Sequence, residues 1–176
     1  MSRTALKKEL KSLGEEQVKD MILDLYSSCR EAREYLDFFI DPDVQVLYDR
    51  YRKELSKEVW RGKYNNSTAR ISRIRAIIKK FESFNTGPEW TLDFMHGALL
   101  EMLDVEYRRY VSAPFIKGIC RLATDILRYG EEQFMFDKAL GRLDDTLARY
   151  PMSSGMRDML RHGIQDFTEL AKPLHK

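Results

Sequence analysis

NNSTARISRIRAIIKKFESFNTGPEW, residues 65–90, decides the fold. Ser67 or Thr68 can cap a helix there, because a hydroxyl accepts from the first orphan amides. Ile71, Ile74, Ile77, Ile78, Phe81 and Phe84 then fall on one stripe at 100° per residue, so that face is expected to be buried. Asn85-Thr86-Gly87 is a turn, and Pro88 suits the first turn of the next helix while disfavouring helix at the residue before it. The local pattern is helix, sharp turn, helix.

On the same wheel Arg75 and Lys79 flank the apolar stripe on one side and Arg73 and Lys80 on the other, where all four can stay hydrated. Arg70 projects near the middle of the stripe. A guanidinium drawn out of water needs a carboxylate or several carbonyls around it, so Arg70 is expected to be partly buried against an acidic partner.

The rest of the chain repeats this pattern. Leu6, Leu10 and Leu13 mark a short helix, and Ser12-Leu13-Gly14-Glu15 reads as its end and a capping box for the next. The second helix carries Val18, Met21, Ile22, Leu25, Cys29, Ala32, Leu36, Phe39 and Ile40, with a weak point at Ser27-Ser28. Asp41-Pro42-Asp43 restarts the chain, with Asp41 as cap and Pro42 at the first helical position, for a helix through Leu47, Tyr48, Tyr51, Leu55 and Val59. Residues 63–66 are the most loop-like stretch and are expected to be mobile. Four further helices follow. Their starts lie at Pro88, at Ser112-Ala113-Pro114, near Phe134 and Phe136, and at Ser153-Ser154, and the last ends before Pro173.

No segment alternates with β-branched enrichment, so the fold class is all-α without a sheet, in seven or eight helices. Hairpin starts near Val44, Pro88 and Glu132 recur at about 44 residues, close to the period of HEAT-like helix pairs. A short stack of hairpins and a compact bundle both satisfy this spacing. The 176 residues, 43% of them hydrophobic, give one domain, residues 1–176, with N-terminal helices over 1–40 and hairpins over 43–172. No signal peptide and no run of about 18 apolar residues occurs, so a cytoplasmic protein is expected. Cys29 and Cys120 lack CxxC or Cys/His spacing and read as packed, reduced thiols.

The formal charge of +2 conceals a segregation: residues 1–49 carry −4, residues 50–80 carry +9 and residues 81–176 carry −3. The basic block holds Arg50, Arg52, Lys53, Lys57, Arg61, Lys63, Arg70, Arg73, Arg75, Lys79 and Lys80. Such a block attracts phosphates, and the acidic flanks can equally neutralise it from within. Tyr51, Trp60 and Tyr64 interleave with these cations, an arrangement that holds single strands by stacking and phosphate neutralisation. Tyr48, Tyr51 and Leu55 also share core spacing.

Candidate chemistry is sparse. Glu89, Asp93 and His96 share one side of a helix at metal-ligand spacing, but a di-metal bundle repeats its acid-x-x-His pattern, and here the other close pair is Asp158 with His162 at i+4. An ordinary polar stripe fits the same residues. His96 beside Gly97-Ala98 can instead mark a close helix crossing, and His175 lies in a terminal tail. No GxSxG elbow, GxxxxGK[ST] loop or cofactor-binding fingerprint occurs, so no catalytic residue and no cofactor is assigned. The favoured function is a non-enzymatic interaction or scaffold protein whose basic segment contacts an acidic protein partner, including a second copy of the chain. Nucleic-acid binding through residues 50–80 ranks second and an enzyme without recognisable motif third. The candidate binding residues are Arg61, Lys63, Arg70, Arg73, Arg75, Lys79 and Lys80.

LKKELKSL at residues 6–13, YLDFFIDPD at 35–43, ARISRIRAIIKKFESF at 69–84 with its GPEW turn, and FDKALGRL at 136–143 together resemble an uncharacterised family of small all-helical bacterial proteins, a domain of unknown function. The resemblance implies an all-helical fold and a bacterial cytosolic setting. It brings no catalytic residues.

Overall fold

A computed structural model describes residues 2–171, so Pro173 and His175 lie outside the described residues. Among the described residues there are nine helices and no β-strand. They run α1 (Arg3–Leu10), α2 (Glu15–Ser28), α3 (Arg30–Ile40), α4 (Val44–Val59), α5 (Ile71–Glu82), α6 (Pro88–Arg108), α7 (Ala113–Glu132), α8 (Phe136–Arg149) and α9 (Ser154–Ala171). The chain forms two compact units, Met1–Asp43 and Val44–Lys176, divided at the Asp41-Pro42-Asp43 restart.

The first unit holds α1, α2 and α3. The single long helix expected after Gly14 is broken at Cys29, whose extended backbone (φ −118°, ψ 112°) ends α2 and starts α3. Arg33 explains the corner. Its guanidinium donates to the Tyr26 and Ser27 carbonyls at 3.0 Å each and lies 5.4 Å from the Tyr26 ring, occupying acceptors that an ended helix leaves open. The expected cap is also displaced: Gly14, not Ser12, is the N-cap of α2, and Gln17 Oε1 accepts its amide at 2.9 Å. No described residue of this unit is buried.

The second unit contains the core. Hairpins α4–α5, α6–α7 and α8–α9 stack, with α6 packed on α4 and α8, and α7 packed on α5 and α9. Equivalent helices run parallel: Tyr48 and Arg52 of α4 meet Asp93 and Glu101 of α6, while Glu89, Asp93 and His96 of α6 meet Lys138, Arg142 and Thr146 of α8. These pairings are those of a short hairpin stack, which is the regular alternative the 44-residue spacing offered. The α5 stripe is buried as its spacing requires, at Ile74, Ile77, Ile78, Phe81 and Phe84. Phe81 stacks on Phe94 of α6 with ring centroids 4.3 Å apart, and Tyr48 meets both rings edge-on. Each fully buried large side chain of this kind contributes about 1.5–3 kcal/mol. Pro88 stands at the first position of α6, after Asn85 (φ 51°) and Gly87 (φ 106°) have turned the chain. Phe134, expected on the α8 stripe, instead lies before the helix with φ 57° and is exposed.

Candidate functional site

Five of the eleven cations of the basic segment are paired with carboxylates of the second unit. Arg61, Arg70 and Arg73 pair with Glu58 and Glu54, the segment's own two acids, while Arg52 reaches Glu101 of α6 at 2.6 Å and Arg75 reaches Asp125 of α7 at 3.6 Å. Arg70 has the acidic partner its position required, but it is not the buried member: its side chain is 57% exposed and that of Glu58 9%. The physical reason is that α5 begins two or three residues later than its hydroxyl caps suggest. Arg70 is the extended N-cap rather than a residue of the helix face. Its hydrogen bonds hold the Glu58 carboxyl below the ordinary glutamate range. Lys53, Lys57, Lys63 and Lys79 form no ion pair among the described residues. Lys80 lies 5.7 Å over the Tyr51 ring.

Lys79 stands at a groove. Where α5 and α7 start together, Ile71 seats on Gly118, and a Cβ at Gly118 would approach Ile71 Cδ1 to 2.7 Å. Further along, the two helices border a depression of about 440 Å³ floored by Ile78, Leu122 and, from α6, Met95. That volume lies within the range of ordinary ligand sites. The charges are sorted along its length. Asp125 sits between Arg75 and Arg128 (3.1 Å to the latter), and Lys79 adds a further cation. Glu82 and Glu132 flank Tyr129 at the other end, where burial, aided by both carboxylates, pushes the phenol up.

The polar side of α6 faces α4 and α8. Tyr48 donates to Asp93 at 2.6 Å, Asp93 also holds Arg142 at 3.2 Å, and Glu89 holds Lys138 at 2.6 Å. Burial, then the hydrogen bond to Asp93, pushes the Tyr48 phenol up. Thr146 gives its hydroxyl proton to the Arg142 carbonyl, so its oxygen must accept from His96 Nε2, 2.9 Å away. Burial, with Arg142 nearby, holds the imidazole below its usual value. The metal-spaced trio thus reaches three different residues of α8, and no group of three or more metal-ligating side chains occurs among the described residues. At the other close pair, His162 Nδ1 meets the Asp158 carbonyl while the Asp158 carboxylate holds Arg161. Gly97, beside His96, makes room for the Arg52 side chain, since a Cβ there would lie 2.5 Å from Arg52 Nη1.

The loops within the three hairpins meet at one end of the stack. The far end of the loop at residues 63–66 is bridged: Tyr110 N–H donates to the Asn65 carbonyl at 2.7 Å, and the Tyr110 carbonyl accepts from Ser67 at 3.0 Å. Thr68 donates to the Arg61 carbonyl at 2.9 Å. Arg109 donates to the Trp60 carbonyl at 2.9 Å, and the guanidinium carbons of Arg109 and Arg108 lie 5.1 and 6.0 Å from the Trp60 ring. Ser153 donates through its amide and hydroxyl to Glu106, tying in the third loop. Of the interleaved aromatics, Tyr51 is core, Trp60 is half-buried and Tyr64 is exposed. Tyr107, Arg108, Arg109 and Tyr110 were not found by sequence reasoning, because only the Asn66–Tyr110 bridge, across some 45 residues, joins their end of α6 to the loop that carries Tyr64.

Fold and surfaces together define a helical-hairpin protein with a charge-sorted groove and an aromatic, basic loop edge. The chain belongs to Family of unknown function (DUF6155), which matches residues 1–142, through the first unit and the first two hairpins into α8. No curated protein and no solved structure matches it. No helix among the described residues is long and apolar enough to cross a membrane.

Proposed function

We propose that this chain is a non-enzymatic interaction module, and that the groove between α5 and α7 receives an amphipathic segment of a protein partner with acidic residues at one end. One observation carries the reading: an apolar floor of Ile78, Met95 and Leu122 lies beneath a rim where Lys79 has no counter-charge while Asp125 is shared by two arginines. A floor of that size accommodates a few large apolar side chains, which one face of a helix supplies at i, i+4 and i+7. The sorted rim charges then select its direction, because acids facing Glu82 and Glu132 would repel. A partner lying along residues 50–80 as a whole would instead meet arginines already held by Glu54, Glu58, Glu101 and Asp125. Tyr129, its phenol raised by burial, keeps its proton and suits hydrogen bonding better than base catalysis. The two free cysteines suit a reducing, cytoplasmic setting.

Selection of helical peptides from a random library against the full chain tests this. Enriched peptides should carry an apolar i, i+4, i+7 face with acids at one end, and should bind at least tenfold more weakly to Lys79→Glu. Enrichment of no such class, or binding indifferent to Lys79→Glu and to Ala76→Trp, would sink the proposal.

A further inference from the structure

The loop edge of the stack carries an independent function: we propose that it binds single-stranded nucleic acid. Three tyrosines stand there in water, Tyr64 at 94%, Tyr110 at 78% and Tyr107 at 60% exposure. Unlike the equally exposed Phe134, each of these rings has cations next to it in the chain, Arg61 and Lys63 before Tyr64, and Arg108 and Arg109 between Tyr107 and Tyr110. Rings with exposed faces beside phosphate-neutralising cations are what single strands require, since every unstacked base offers a π face and every linkage a negative charge.

The platform is built rather than incidental. The Asn66–Tyr110 bridge joins the two tyrosine-bearing loops, and Arg109 anchors Trp60 beneath them. Gly62 makes the turn possible. Its φ is 127°, and a Cβ there would lie 2.2 Å from the Asn66 carbonyl oxygen. Joining the two loop backbones before binding reduces the ordering cost of holding a strand. Of the cations, Lys63 forms no ion pair among the described residues, and Arg61 and Arg108 reach carboxylates only at 3.8 and 3.7 Å. Two acids of α6 nearby are engaged elsewhere: Asp104 with Tyr150, and Glu106 with Ser153. The exposed large apolar residues of these loops are tyrosines without aliphatic companions, whereas a protein interface centres on a mixed apolar core. A duplex is disfavoured because it hides its base faces.

The experiment is fluorescence anisotropy of labelled single-stranded DNA and RNA 20-mers, and of the matching duplex, against the nucleic-acid-free full chain over a salt series. Single strands should bind more tightly than the duplex, and the affinity should fall linearly with the logarithm of salt. Tyr64→Ala and Tyr110→Ala should each weaken binding about tenfold, Tyr64→Phe should retain it, and Lys63→Glu should flatten the salt slope. Ala76→Trp, in the groove, should leave it unchanged. Both tyrosine side chains lie in water, so circular dichroism should confirm that their variants fold. No binding at low salt, a preference for the duplex, or full affinity in Tyr64→Ala and Tyr110→Ala overturns the proposal.

Discussion

Glu58 receives Arg70 three times: its Oε1 accepts from the Arg70 amide at 3.0 Å and from Nε at 2.9 Å, and its Oε2 accepts from Nη2 at 2.7 Å. The last turn of α4 is thereby fastened to the N-cap of α5, with the carboxylate inside and the guanidinium outside. The segment that looks most available to an outside partner is closed on itself at this point.

Glu58→Gln removes the charge while keeping the shape, and should lower stability by about 1.5–3 kcal/mol at neutral pH, the range for a hydrogen bond to a charged group. The folded carboxyl titrates below the unfolded one, so the unfolded chain takes up the proton first as pH falls. The contribution is full above the ordinary glutamate value and is lost as pH drops through it toward the lower folded value. Urea unfolding at pH 7 and pH 3 checks this: the gap between wild type and Glu58→Gln should narrow at pH 3, and an undiminished gap would contradict the ion-pair account.

His96 acts in a different pH window. Its folded imidazole titrates below the usual value because it is buried and beside Arg142, so the unfolded chain binds the proton first, near pH 6.5. Stability should therefore decline as pH falls from about 6.5 toward the lower folded value. His96→Gln, which still offers a donor to Thr146, should remove this part of the decline. Unfolding midpoints from pH 7.5 to 5.5 decide it, since parallel curves for the two proteins would exclude His96 as the source.

The helices were legible because they are local. The stripe of α5 and Pro88 at the start of α6 follow from neighbours within two turns, and the structure has both, whereas the third hairpin starts at Phe136 rather than near Glu132, which ends α7. What sequence could not show was set by distant partners. Ser67 and Thr68 look like caps, yet the Tyr110 carbonyl takes the Ser67 amide and the Arg61 carbonyl takes that of Thr68, so the chain stays extended until Arg70. That delay turned Arg70 from a buried helical cation into an exposed cap. The groove was legible only in part: Arg75 and Lys79 were candidates, but Asp125, Arg128 and Tyr129 come from a helix some fifty residues away.

Gly62→Ala tests how firmly the loop edge is held. Alanine at a positive φ costs more than the ~1 kcal/mol gained at a compatible site, and here its methyl would also strike the Asn66 carbonyl. A loss of more than about 1 kcal/mol is expected in thermal or urea unfolding. Faster hydrogen exchange at the Tyr110 and Ser67 amides, which close the bridge, should accompany it. Unchanged protection at both amides would mean that the turn does not depend on the glycine.

Ala76→Trp separates the groove from the fold. Ala76 is exposed on α5 and lines the depression beside Lys79, so an indole there occupies the space without disturbing Ile74, Ile77 or Ile78 in the core. Surface substitutions of this kind usually change stability by no more than about 0.5 kcal/mol. Binding of selected peptides should nevertheless be lost, because the floor of Met95 and Leu122 is no longer reachable. Lys79→Glu should act differently, repelling acidic peptides while admitting ones whose end charge is reversed. If Ala76→Trp left peptide affinity intact and Lys79→Glu still abolished it, the partner would be held by surface charge alone, and the groove would have no part in recognition.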